Sequence, residues 1–191
     1  MGEPKTKGEI REKLRSRRAG ILESEFLSRS SSITRALQQQ QEYAAARTIH
    51  CYVSMNDRRE VNTHPLIAAI IEEGRDLVVP VTHFGEGTLS HYTLTSFDEL
   101  KPNKWGVLEP EDGIERTSQE FELVIVPMVG GDERGHRLGY GGGFYDRFLK
   151  EVQCPAVGLC FEQNIISLLP AESYDIPMDK IITEERIIPA V

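Results

Sequence analysis

Cysteine is scarce in this chain, long apolar runs are absent, and the common phosphate-binding signatures are missing. The three cysteines, Cys51, Cys154 and Cys160, are odd in number and form no CxxC. They argue against a disulfide framework or a cysteine metal site, and for thiols packed in or near a core in a reducing compartment. No apolar run approaches the roughly 18 residues of a membrane span. The basic N-terminus, MGEPKTKGEIREKLRSRR, has no apolar segment behind its charges, as a secretory signal would. A soluble cytoplasmic protein with no membrane partner is expected. The five histidines, His50, His64, His83, His91 and His136, have no metal-ligand spacing and read as structural or surface residues. G-x-x-x-x-G-K-[ST] cannot occur, because the chain contains no Gly-Lys pair. G-x-G-x-x-G fails because Phe144 stands where the third glycine after Gly139 and Gly141 belongs. These absences argue against a P-loop NTPase and a common dinucleotide binder.

At 191 residues the chain suits one domain over 1–191, since domains cluster at roughly 100–150 residues. Its net charge is −8, from 22 basic and 30 acidic residues, which argues against a nucleic-acid partner. The charge is unevenly placed: residues 1–35 carry nine Lys/Arg against five Asp/Glu. Either a solvated basic face or an anionic ligand near the N-terminus accounts for that. Residues 7–22 read as a helix with Ile10, Leu14 and Ile21 on one stripe. Lys7, Arg11 and Arg18 lie along the edge of that stripe. Once the stripe is packed, they sit at the rim of the body, where a cation can meet a ligand.

A second helix is expected over Ser24–Gln40 and another over Asn62–Glu73. Strands are expected at Thr48–Val53, Leu77–Val81, Leu123–Val126, Ala156–Cys160, Lys180–Thr183 and Arg186–Ile188, with an edge strand at Thr88–Leu94. The polar stretch 101–120 reads as a long surface loop. Strands alternating with helices imply an α/β fold: an open, mainly parallel sheet with helices on both faces, three-layered and Rossmann-like. In such sheets ligands bind beyond the carboxyl ends of the strands.

The segment 126–150 carries the chemistry. It runs from a buried strand, through a loop with seven glycines in the 14 positions from Gly130 to Gly143, into a helix expected over Phe144–Val152. Glycines let backbone N–H groups close round an anion, and the helix adds its positive end. Arg134 and Arg137 add guanidinium charges suited to phosphate.

Arg137 to Leu149, R-L-G-Y-G-G-G-F-Y-D-R-F-L, closely resembles the signature of the 5-formyltetrahydrofolate cyclo-ligase (5,10-methenyltetrahydrofolate synthetase) family. The resemblance extends over nearly the whole chain. It includes K-x-x-I-R at Lys7 to Arg11, E-V-N-T at Glu60 to Thr63, the aromatic-Gly-x-x-Glu-Pro stretch from Trp105 to Pro110, and a buried strand ending at Pro127. The tail adds L-P-x-E-x-x-D from Leu169 to Asp175, then Asp179 and I-I-T-E up to Glu184.

The resemblance implies a ligase that closes 5-formyltetrahydrofolate to 5,10-methenyltetrahydrofolate with ATP as co-substrate and Mg2+. It releases ADP and phosphate through a phosphorylated formyl group. It implies ATP contacts at Lys7, Arg11, Arg137, Gly139, Gly141, Gly142, Gly143 and Tyr145, with Arg137 and Tyr145 catalytic. Folate contacts are implied at Met55, Glu60, Trp105, Tyr140 and Phe144, and magnesium ligands at Asp146 and Asp175. The partners are then ATP and a folate, with or without a polyglutamate tail, and a monomer is expected. Gly130-Gly131-Asp132 stands where the family commonly carries an apolar residue, a Phe and an Asp, which predicts a more mobile loop. Neither Tyr140 nor Gly142 is basic, as some members are there. Two rivals are a phosphosugar or acyl-group enzyme on a related sheet and a folate- or nucleotide-binding regulator without turnover.

Overall fold

The computed structural model describes residues 6–170, 172 and 175–190. Ala171, Ser173 and Tyr174 of the tail motif therefore lie outside the described residues. The helices are α1 (Lys7–Ala19), α2 (Glu23–Gln38), α3 (Gln41–Ala45), α4 (His64–Glu72) and α5 (Phe144–Leu149). The strands are β1 (Thr48–Cys51), β2 (Asp76–His83), β3 (Thr88–Thr93), β4 (Leu100–Pro102), β5 (Leu108–Pro110) and β6 (Leu123–Pro127). The second half adds β7 (Gly130–Asp132), β8 (Arg137–Leu138), β9 (Ala156–Leu159), β10 (Ile165–Ile166), β11 (Lys180–Ile182) and β12 (Ile187–Pro189). Among the described residues, no helix is long and apolar enough to cross a membrane.

The main sheet has the order β12-β11-β9-β6-β1-β2-β3. Its interior pairs are parallel, and both edges close with an antiparallel strand. β6 (LVIV before Pro127) is buried along those four residues, as a strand covered on both faces must be. One face packs Ile49, Leu123 and Ile125 with Ile33 and Leu37 of α2 and Leu66, Ile67 and Ile70 of α4. The other packs Val78, Val124 and Val126 with Phe148 and Leu149 of α5. The expected α/β architecture is therefore present, with helices on both faces.

Chain order reverses between β1 and β6. From β1 the chain winds outward through β2 to β3, and from β6 it winds the opposite way through β9 to β11. Two parallel strands that part in this way leave a crevice beyond their carboxyl ends.

The helix expected over 7–22 ends at Ala19, where Gly20 caps it. Its start is fixed by a capping box in which Thr6 and Glu9 satisfy each other's backbone N–H. Beyond the end of α2 at Gln38, Gln41–Ala45 form α3, which the sequence pattern did not announce. The stretch 101–120 is not a bare loop: β4 and β5 form an antiparallel hairpin within it.

The largest correction concerns the glycine segment. Gly130, Gly131 and Asp132 form a buried strand, β7, between β10 and β8 in a second small sheet. α1 packs on it through a cluster of Ile10, Leu14, Val129, Leu138 and Leu169. A Cβ on Gly130 would lie 2.4 Å from Leu14 Cδ1 and 2.6 Å from the Asn164 carbonyl oxygen. Glycine is here because a helix must come this close, not because the loop must move. Asp132, fully buried, accepts the backbone N–H groups of Arg134, His136 and Leu169 at 2.9–3.0 Å.

Gly130→Ala should therefore destabilise the fold by about 1–3 kcal/mol, the usual range for overpacking. Gly85, whose added Cβ meets nothing within 4 Å among the described residues, should tolerate alanine within about 0.5 kcal/mol. Urea unfolding midpoints of the two variants compare them directly, and equal midpoints would refute the packing account.

Candidate active site

The crevice at the β1/β6 reversal opens into a cavity of about 350 Å³. Tyr52, Val53 and Met55, just past β1, form one side, and Pro127 at the end of β6 with the glycine segment forms the other. α1 closes one end with Lys7 and Arg11.

Every residue to which the family resemblance gives a role lines this cavity: Lys7, Arg11, Met55, Glu60, Trp105, Arg137, Gly139, Tyr140, Gly141 to Phe144, Tyr145, Asp146 and Asp175. Arg134 does not. It is half exposed and turned toward Asp132, 3.8 Å away, because β7 and β8 run antiparallel and their turn points it away from the crevice.

The cationic end is assembled by close contacts with the glycine backbone. Arg11 Nε donates to the Gly139 carbonyl at 2.7 Å. Gly141, at φ 99°, leaves room for the Arg11 guanidinium, which an added Cβ would meet at 3.2 Å. Gly143, at φ 68°, turns the chain into α5 in a left-handed conformation that favours glycine. Arg137 is only 9% exposed. Its Nη2 donates to Asp146 Oδ1 at 2.5 Å, and its Nε is buried without a partner among the described residues. Arg147 braces the loop from outside, donating from Nε to the Gly87 carbonyl and from Nη2 to the Gly142 carbonyl, each at 2.7 Å.

Lys7 Nζ meets Asp175 at 2.5–2.8 Å and Glu172 at 3.0 Å. Burial pulls the ammonium down, but these two carboxylates outweigh it and raise its pKa, so it stays charged. Burial likewise pushes Asp175 up, and Lys7 outweighs it, holding the carboxylate below its usual range. Asp146 and Asp175 thus each face a cation. Among the described residues no group of three or more His, Cys, Asp and Glu side chains could hold a metal ion.

The opposite end is aromatic. The Phe84 ring lies 5.2 Å from Trp105 and 5.6 Å from Phe144, joining three separate segments into one wall. Trp105 is 52% exposed at the mouth, where Arg58 Nη2 donates to its carbonyl at 3.2 Å. Glu60 sits at the floor and is only 3% exposed. It is buried although the charged residues Asp57, Arg58 and Arg59 precede it. Oε2 accepts the Met55 N–H at 2.7 Å, and Oε1 accepts the Tyr140 hydroxyl at 2.5 Å. Burial pushes the Glu60 carboxyl up, against the pull of those two donors and of Arg18. Tyr145 turns its hydroxyl into the interior, where the oxygen has no partner among the described residues. Burial raises its pKa well above the phenol range, so it stays a neutral donor.

Sequence reasoning missed several members of the site. Phe84 and Thr82 come from β2 and the turn after it, with no motif around them. Glu109, inside the motif from Trp105 to Pro110, accepts from Thr82 N at 2.9 Å and Asn103 Nδ2 at 2.8 Å, pinning the β4–β5 hairpin to β2. The motif could have found Glu109, but not the strand it would bind. His50 and His91 pack under α5, their ring nitrogens 3.1 Å apart. Burial lowers both, His91 to about 4, so the pair is neutral and structural.

The sequence matches the 5-formyltetrahydrofolate cyclo-ligase family over residues 3–184. It is 28% identical over 189 residues to the 5-formyltetrahydrofolate cyclo-ligase of Mus musculus, covering 92% of both chains. It is 32% identical over 148 residues to that of Escherichia coli (strain K12), covering 74% of this chain and 80% of the relative. Among solved structures, the NMR structure of Aquifex aeolicus 5,10-methenyltetrahydrofolate synthetase matches with a TM-score of 0.85 at 28% identity. That match covers 96% of this chain and 92% of the other. With sequence and fold in agreement over almost the full length, the chain belongs to the 5-formyltetrahydrofolate cyclo-ligase family.

Proposed function

We propose that the protein is an ATP- and magnesium-dependent ligase that closes 5-formyltetrahydrofolate to 5,10-methenyltetrahydrofolate and releases ADP and phosphate. One observation carries this reading: a single cavity sets a cationic, glycine-lined end against an aromatic end with a buried carboxylate. The first suits a triphosphate and the second a pterin, and the reaction requires both at one carbon.

A formyl group on nitrogen is a poor electrophile with no leaving group. Attack of the formyl oxygen on the γ-phosphorus forms a C–O–P linkage and breaks the bond to ADP. N10 then attacks the same carbon, the C–N bond forms, and the C–O bond breaks. Phosphate leaves with the electron pair, and the N10 proton is lost. Lys7, Arg11 and Arg137 would hold the phosphates, and Arg137 would answer the charge moving onto departing ADP. Tyr145, catalytic by the resemblance, would donate from its neutral hydroxyl to a reacting oxygen only after that hydroxyl turned out of the interior. Glu60 would accept N–H bonds from the amino-pyrimidinone edge, while Met55, Trp105, Tyr140 and Phe144 flank the ring system. The polypeptide's main task is positioning.

Magnesium, when bound, supplies charge neutralisation at the phosphate oxygens. Asp146 and Asp175 would hold it, and a set of two carboxylates fits a metal that takes most of its ligands from nucleotide and water. Both carboxylates are now paired with Arg137 and Lys7. A triphosphate would take over those cations and release the carboxylates.

The protein incubated with 5-formyltetrahydrofolate should develop the methenyl product's absorbance band only with ATP and magnesium together. No band, or a band without ATP, would overturn the proposal. Lys7→Ala combined with Arg11→Ala should weaken ATP binding at least about tenfold, the loss of one to two charged contacts. Folate binding should be retained and Tm should change little. Loss of folate binding with ATP affinity intact would reverse the assignment of this end. Glu60→Gln must turn an amide N–H toward either Met55 N or Tyr140. It should raise the folate KM at least about tenfold, roughly 1.4 kcal/mol, and leave the ATP KM nearly unchanged. The opposite split would place Glu60 at the nucleotide.

A further inference from the structure

We propose that Arg18, which neither ligand assignment includes, is a positioning residue: it fixes Tyr140 against Glu60 and so sets the geometry and charge that this carboxylate presents to the folate. The inference rests on the reading of Glu60 as the pterin acceptor.

Arg18 lies seven residues after Arg11 on α1, two turns along the same face. Arg11 reaches the cavity, whereas Arg18 is 3% exposed. Its Nη1 donates to the Met128 carbonyl at 3.0 Å, which fixes the plane of the guanidinium. Its Nη2 donates to the Tyr140 hydroxyl at 2.6 Å. With its oxygen accepting from a cation, the phenol sends its proton the other way, to Glu60 Oε1 at 2.5 Å. The Met55 N–H holds Oε2. The result is a chain of donors running one way from cation to carboxylate, in which each bond polarises the next.

The charge balance at Glu60 gives this chain its effect. A carboxylate offers about four acceptor positions, and two are filled from the protein. The others can take ligand N–H groups while the carboxylate is ionised. Burial opposes ionisation. The charged and titratable groups facing Glu60 are Arg18 from α1, Arg58 from the turn after β1, Tyr52 past the end of β1, Tyr140 from the glycine segment and Tyr145 from α5. Only the two arginines are cationic. Arg58 is exposed and screened by solvent, which leaves Arg18 as the buried counter-charge. The cation comes from α1 and acts through the phenol.

The test is steady-state kinetics of Arg18→Met, Tyr140→Phe, their double variant and Glu60→Gln, from about pH 6 to about pH 9. Arg18→Met should raise the folate KM about tenfold or more near neutrality, with the ATP KM within about twofold. The sign of its pH dependence follows from linkage. Without the cation the Glu60 pKa rises, the carboxyl is protonated at the acid end, and the folate KM falls back as pH increases. Wild type should be flat over that range. Tyr140→Phe should shift in the same direction by less, because the field of Arg18 remains. The double variant should be no more than about twofold worse than Arg18→Met, as expected for residues in one chain.

A flat pH profile in Arg18→Met, or folate and ATP KM rising together, would mean that Arg18 only supports the fold, and would overturn the inference. If that variant does not fold, a wild-type pH profile in Tyr140→Phe overturns it instead. If Glu60→Gln raises the folate KM but Arg18→Met does not, the inference falls and the pterin assignment stands. If Glu60→Gln leaves the folate KM unmoved, both fall.

Discussion

The close approach of α1 to the small sheet is the constraint on which the rest of the site depends. Leu14 lies against Gly130 where a methyl group would not fit. Asn164 locks the contact, donating from Nδ2 to the Leu14 carbonyl at 3.0 Å and the Val129 carbonyl at 2.6 Å. Those bonds cross-link a helix at the start of the chain to two segments more than a hundred residues away. Because α1 is held there, Arg11 and Arg18 face the glycine segment and Lys7 meets Glu172 and Asp175. Were the helix a few ångströms farther out, Arg11 would lose the Gly139 carbonyl and Arg18 would lose Tyr140.

The main sheet supplies the other half of the arrangement. Its reversal between β1 and β6 sends two chain segments away from one crevice. The β1 side contributes Met55 and Glu60, and the β6 side contributes Pro127 and the glycine segment. The two halves differ in character because they differ in construction. Past β1 the chain makes a short turn in which Arg59 adopts φ 54°, folding Glu60 back beneath Met55. Past β6 the chain enters the small sheet and returns as a glycine-rich cradle. An acidic protein of net charge −8 can thus concentrate Lys7, Arg11 and Arg137 around one volume, since Asp175, Glu172 and Asp146 stand beside them.

Most of the sheet was legible in the sequence, because buried parallel strands are short runs such as LVIV and AVGL with helices of clear period between them. The cavity-lining set was legible through the ordered motifs. What could not be read were contacts decided by tertiary approach. Gly130 and Gly131 look like loop glycines, since composition does not tell a glycine that must flex from one that must admit a neighbour. The β4–β5 hairpin hides in a polar stretch because its strands are only three residues each; Leu100 and Leu108 join the main core, and Glu109 binds β2 and Asn103. Phe84 reads as a stray aromatic until Trp105 and Phe144 arrive from distant segments. Asp146 and Asp175 are magnesium ligands by the resemblance, and nothing in the sequence signalled the ion pairs they make with Arg137 and Lys7.

The arginines of α1 show where sequence reasoning stops. Arg11, Arg15 and Arg18 are chemically identical, and at i, i+4 and i+7 helical period puts all three on one side of α1. Arg11 and Arg18 share a face, so the sequence pattern placed both at the rim. Their different fates follow from what stands opposite each along the helix axis. Across from Arg11 is a bare glycine backbone bordering open volume. Across from Arg18 are a carbonyl and a phenol, and the phenol leads to a carboxylate. A guanidinium can be buried only where its donors and its charge are both met. Met128 and Tyr140 each take a donor from one terminal nitrogen, Nε has no partner among the described residues, and Glu60, beyond the phenol, answers the charge. Burial of Arg18 is thus a consequence of Glu60 lying behind Tyr140, a relation between residues 42 positions apart in the sequence that only the folded chain reveals.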